Sequence, residues 1–140
     1  MRGRDDLIRG WLRKAGSDFV SLDATIAVEA YDTACFHAQQ AAEKCLKAYL
    51  DHEEVDFPFT HNLTKLVELC AARDSAFSAL LSTVEPLTPY AVETRYDSEF
   101  WPEREVAEEA RALAQSVRSF VMTRLPARLW TDEEDSTAVS

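Results

Sequence analysis

A chain of 140 residues, 46% hydrophobic, is long enough for one packed core and too apolar to stay unfolded. With only 3 Gly and 5 Pro, and with Ala, Leu and Glu abundant, it favours helix over strand. No apolar run approaches the ~20 residues a bilayer requires, and a net charge of −10 argues against nonspecific DNA or RNA binding, which needs a basic patch.

The N-terminus, MRGRDDLIRGWL, carries acids early and lacks an apolar stretch. A signal peptide is therefore not expected, and the reading is cytoplasmic. The first helix is predicted over Asp5 to Val28, with Leu7, Trp11, Leu12, Ala15, Phe19 and Leu22 on its apolar stripe. The second, Ala30 to His52, has the clearest period. Tyr31, Cys35, Ala38, Ala42, Cys45, Leu46 and Tyr49 share one face, and His37, Gln40, Lys44, Lys47 and Asp51 the opposite one. Pro58 breaks the pattern. Thr60 then caps a third helix from His61 to about Arg73, with Leu63, Leu66, Val67 and Cys70 inward. A fourth starts at Asp74 or Ser75, turns Phe77, Leu80, Leu81 and Val84 inward, and ends at Pro86 and Pro89.

Tyr90 to Trp101 reads as a loop with room for one helical turn. Pro102 opens a fifth helix, whose inward residues are Val106, Ala110, Leu113, Val117 and Phe120 or Val121. Pro126 stops it. The expected organisation is one helical domain over residues 1–126 and an acidic, disordered tail over 127–140. The three cysteines, Cys35, Cys45 and Cys70, all fall at apolar positions, and are expected as buried, reduced thiols.

Three segments follow one another in a telling order: FHAQQAAEKCLKA in the second helix, HNL after the Pro58 turn, and TRY before the last helix. In that order and spacing they resemble the HEPN domain family, particularly small stand-alone members encoded beside minimal nucleotidyltransferases. The likeness covers roughly Asp6 to Arg124. It implies an all-α, up-and-down bundle of four to five helices, usually a homodimer. It also implies a cleft that gathers His37, Lys44, Lys47, His61, Arg95 and Tyr96 as candidate ligand-binding residues. Asp97 stands where such proteins often carry Pro after TRY.

Many HEPN proteins are ribonucleases with an Arg four to six residues before a His. The pairing suits the chemistry, since the His moves the proton of the attacking 2′-hydroxyl and the Arg stabilises phosphate charge. Here no Arg lies between Lys14 and Ala72, so none precedes His37, His52 or His61 at that spacing. The sequence also lacks a Gly-rich phosphate loop, an HExxH motif and a zinc pattern. No catalytic residue, metal site or cofactor is assigned. The leading expectation is a noncatalytic module that binds a mononucleotide, a nucleotidyltransferase partner or both, as in a toxin–antitoxin-like pair. A divergent ribonuclease toxin using Arg95 with His37 or His61, and a structural dimerisation module, are the alternatives.

Overall fold

The computed structural model describes residues 3–131. Six α-helices and two 3₁₀ segments make up its regular structure, with no strand among the described residues. No described helix is long and apolar enough to cross a membrane.

Helix α1 spans Arg4–Ala27, with Asp5 and Asp6 in its first turn, where negative charge complements the helix dipole. Helix α2 spans Tyr31–His52. Both end in the same way. Glu29 and Glu54 adopt left-handed φ values of 62° and 59°. The next amide then reaches back five residues, Ala30 N–H to the Thr25 carbonyl at 2.8 Å and Val55 N–H to the Leu50 carbonyl at 2.9 Å. These are Schellman turns in which Glu occupies the place glycine favours.

Helix α2 is the axis of the bundle. It packs against α1, α3 (Leu63–Ala71), α5 (Tyr90–Tyr96) and α6 (Arg104–Thr123). Ala34, Ala38, Ala41, Ala42 and Ala48 are fully buried, and such small side chains let neighbouring helices approach closely. Tyr49, Phe77 and Phe120 stack in series, with centroids 4.4 and 4.8 Å apart, and tie α2 to α6. Surrounded on several sides, α2 has no fully solvated face.

Several local expectations are corrected. On α1, Ile8 is buried and Leu7 half exposed, which rotates the start of the stripe by one residue. Helix α3 begins at Leu63, after His61. Asn62 is its N-cap and accepts the Lys65 N–H at 3.2 Å, while Thr60 Oγ1 accepts the Asn62 N–H at 3.1 Å. The fourth segment is a 3₁₀ turn, Ser75–Leu80, running into the short α4, Leu81–Val84. Leu81 faces outward. TRY lies in helix α5 rather than a loop. Pro89, at φ −68°, precedes the helix with its backbone already in the helical region, and Ala91 is buried. Helix α6 begins at Arg104, with Glu103 at its N-cap and Val106 exposed.

Beyond Pro126, Ala127–Leu129 forms a 3₁₀ turn that packs back on α1, with Leu129 buried. Arg128 pairs with Asp5, and its carbonyl accepts from Arg9. The rest of the expected acidic tail, from residue 132, lies outside the described residues. All three cysteines are buried and free, and burial pushes each thiol up to about 12.

Candidate functional site

Four polar or charged residues are buried among the described residues: Asp18, Gln39, Glu43 and Lys47. Burying such groups is costly unless they are paired and hydrogen-bonded. Here every one serves an arrangement that ends on a histidine.

The first arrangement joins α1 to α2. The Asp18 carboxylate accepts Lys44 Nζ at 2.5 Å on one oxygen and the His37 Nδ1–H at 2.9 Å on the other. The second joins α2 to the segment before α3. Glu43, 3% exposed, accepts Lys47 Nζ at 2.8 Å and the His61 Nδ1–H at 2.8 Å on its separate oxygens. The same carboxylate oxygen that meets His61 takes Gln39 Nε2 at 3.2 Å, and that amide also donates to the His61 carbonyl at 2.8 Å. Gln40 Nε2 donates to Gln39 Oε1 at 2.7 Å. Both histidines therefore show the same pattern. A lysine neutralises a carboxylate, the carboxylate holds Nδ1, and Nε2 is left without a hydrogen bond among the described residues.

Lys47 is also walled in by aromatic rings. Its ammonium lies 5.5 Å from the Trp11 centroid, 5.7 Å from Phe57 and 5.9 Å from Phe59. Trp11 Nε1 donates to Asp51 at 2.6 Å, which fixes the indole. The ring faces attract the cation and replace part of its lost hydration. The helical period puts Lys47 on a polar outer face; at 5% exposure it is instead part of the interior, because the Phe57–His61 segment folds across it.

Arg95 behaves differently. Its guanidinium lies over Phe36, 4.9 Å from the centroid, and it forms no ion pair with any described residue. The ring of Phe36 in turn meets His37 at 5.6 Å. Arg95, Phe36, Thr33 and Thr94 line a cavity of about 180 Å³. Tyr96, one residue on, is 78% exposed. A larger groove of about 670 Å³ runs along α1, lined by Leu7, Gly10, Trp11 and Lys14 among others, and meets the polar seam at Trp11. No described group of three or more His, Cys, Asp or Glu side chains could hold a metal ion.

The six candidates thus fall into three groups along α2: His37 with Lys44, His61 with Lys47, and Arg95 with Tyr96. Sequence reasoning missed Asp18, Gln39 and Glu43. Asp18 carried a signal, since it falls between Ala15 and Leu22 on the buried stripe of α1. Glu43 and Lys47, four residues apart, read as an ordinary solvated helix pair.

An all-helical bundle with a polar seam along its central helix is the class that this geometry defines. The chain belongs to the HEPN domain family, whose model matches residues 8–125. No curated protein matches it. Among solved structures it is similar to TT1696 from Thermus thermophilus, at 29% identity and a TM-score of 0.70, over 84% of this chain and 98% of that one. It is similar in fold to ST0689, an archaeal HEPN homologue, at 19% identity and a TM-score of 0.68, over 84% and 96% of the two chains.

Proposed function

We propose that this HEPN domain binds a compact, phosphate-bearing nucleotide along the polar seam of α2, with Arg95 as the anion-binding group. The observation that carries this reading is the contrast among the cations. Lys44 and Lys47 are each neutralised by a carboxylate, whereas Arg95 lies on Phe36 with no ion-pair partner among the described residues and lines a cavity. A planar guanidinium can grip phosphate oxygens with two parallel hydrogen bonds. Thr33 and Thr94 add polar groups around it. Lys44 and Lys47 position the histidines and contribute little to anion binding. In a protein of net charge −10, such a site favours a small ligand over a long polyanion.

The family resemblance supports a homodimer that works beside a separate nucleotidyltransferase, in a toxin–antitoxin-like pair. It is read as a binding module because the Arg-to-His ribonuclease spacing is missing. Calorimetric titration of AMP, ATP and a short RNA into wild type and Arg95→Ala tests the proposal, with sedimentation of the same sample reading the oligomeric state. Binding of mononucleotide that weakens at least ten-fold in the variant is expected. No heat with any nucleotide, or equal affinity in the variant, overturns the assignment. Cleavage of the RNA by wild type would instead favour the ribonuclease reading, for which the supporting observation is that the Phe36 ring meets both Arg95 and the Asp18-held His37.

A further inference from the structure

We infer that Phe59 and His61 form a second subsite on the same seam, one that takes a nucleobase. The inference rests on the nucleotide reading above and extends it from the phosphate to the base.

Of the four buried polar residues, Gln39 and Glu43 bond His61 directly and Lys47 neutralises Glu43. Yet the His61 side chain itself is 45% exposed. Interior hydrogen-bonding groups are thus committed to holding a surface imidazole in one orientation. Glu43 binds Nδ1, Gln39 holds the backbone carbonyl, and the segment runs straight into the Asn62 cap of α3. A half-exposed histidine fixed in this way has Nε2 free of hydrogen bonds to the described residues, as a directional atom for a ligand.

Next to it stands Phe59. The residue is 93% exposed, and its ring lies 5.6 Å from the imidazole, at 70° to it. Almost nothing covers the ring. The cation of Lys47 lies 5.9 Å from its centroid on the interior side. Pro58 precedes it and limits the backbone. An open aromatic face beside a fixed polar atom suits a flat ring with hydrogen-bonding groups on its edge. Nucleobases have that form, and stacking on an aromatic side chain is a common way of holding an unpaired base. Phe36, beneath Arg95, precedes Glu43 by seven residues, about 10 Å along the helix axis. Arg95 rests on Phe36 and His61 on Glu43, so the two subsites stand against one helix and are chemically distinct.

The test separates base from phosphate. Adenosine, ribose 5-phosphate and AMP are titrated into the whole protein and into Phe59→Ala, His61→Asn and Arg95→Ala. Phe59 is a surface residue, so its truncation should leave the fold intact; a circular dichroism melt verifies this. AMP should bind wild type more tightly than ribose 5-phosphate does. Phe59→Ala should weaken AMP and adenosine roughly ten-fold and leave ribose 5-phosphate unchanged. His61→Asn should weaken the same two ligands. Equal affinities of AMP and ribose 5-phosphate for wild type, or an unchanged AMP affinity in Phe59→Ala, overturn the base subsite while the Arg95 reading stands. Adenosine binding that Phe59→Ala abolishes, with no binding of ribose 5-phosphate, supports the subsite and overturns the Arg95 reading. Absence of binding by all three ligands overturns both.

Discussion

The two histidine assemblies use the same three kinds of group and differ in how they are built. Lys44–Asp18–His37 crosses from α2 to α1, and its lysine and histidine side chains remain 20% and 22% exposed. In Lys47–Glu43–His61 the ion pair lies within one helix and is almost fully buried, at 6% and 4%, while its histidine is 45% exposed. The difference is one of solvent. Water screens the first assembly and lets its members relax if a partner is lost. The second has aromatic rings around the lysine and is almost closed to solvent, so a missing charge is poorly compensated. Equal chemistry should therefore have unequal consequences for stability.

The largest expected effect follows from that contrast. Glu43→Ala strands the Lys47 ammonium among Trp11, Phe57 and Phe59 and should cost about 3–5 kcal/mol. Asp18→Ala removes an equivalent carboxylate from partly exposed partners and should cost about 1–3 kcal/mol. Urea denaturation of both variants measures the gap. A Glu43→Ala midpoint equal to that of Asp18→Ala would show that burial does not distinguish the two. The double replacement Glu43→Leu with Lys47→Met should recover much of the loss, because no unpaired charge is left behind.

The thiols of Cys35 and Cys45, together with Cys70 of α3, provide a second contrast with the polar seam. Burial pushes each up to about 12, above its ordinary value near 9. The folded state therefore keeps these protons where the unfolded chain has released them. Their stabilising contribution is full below about pH 9 and is lost as pH rises from there to about 12. Each thiol should cost about 1 kcal/mol over the pH unit above 9. Melting temperature against pH checks this in wild type and in a Cys35→Ala, Cys45→Ala, Cys70→Ala variant. The variant should show the shallower alkaline decline; equal slopes would count against buried, protonated thiols.

The smallest effect concerns the turn that launches the His61 segment. Glu54 holds a left-handed φ of 59° that an L-residue adopts at a cost. Glu54→Gly should stabilise the protein by up to about 1 kcal/mol, partly offset by losing the exposed pair with Arg4. A lower melting temperature in this variant would show that the Arg4 contact matters more than the backbone relief.

Much of this is present in the chain order of residues. The helical class, the course of α1, α2 and α6, and the burial of all three cysteines follow from a 3.6-residue period, which is a local property. So does the family, through FHAQQAAEKCLKA, HNL and TRY. The helical state of Tyr90–Tyr96 is not legible there, because a short segment between prolines has too few turns to show a period, and packing of Ala91 stabilises it from outside. The same holds for the candidate site. His37, Lys44, Lys47, His61 and Arg95 can be named as polar groups on suitable elements, but their partners cannot. Asp18 lies 19 residues from His37 and 26 from Lys44. Whether Lys47 faces water or aromatic rings depends on how Phe57–His61 crosses α2. Sequence alone determined which residues carry charge and where helices form, because propensity and periodicity act over a few residues. Only the tertiary structure decided which charges are neutralised, buried or left unpaired among the described residues, because desolvation and ion pairing depend on distances between segments far apart in the chain.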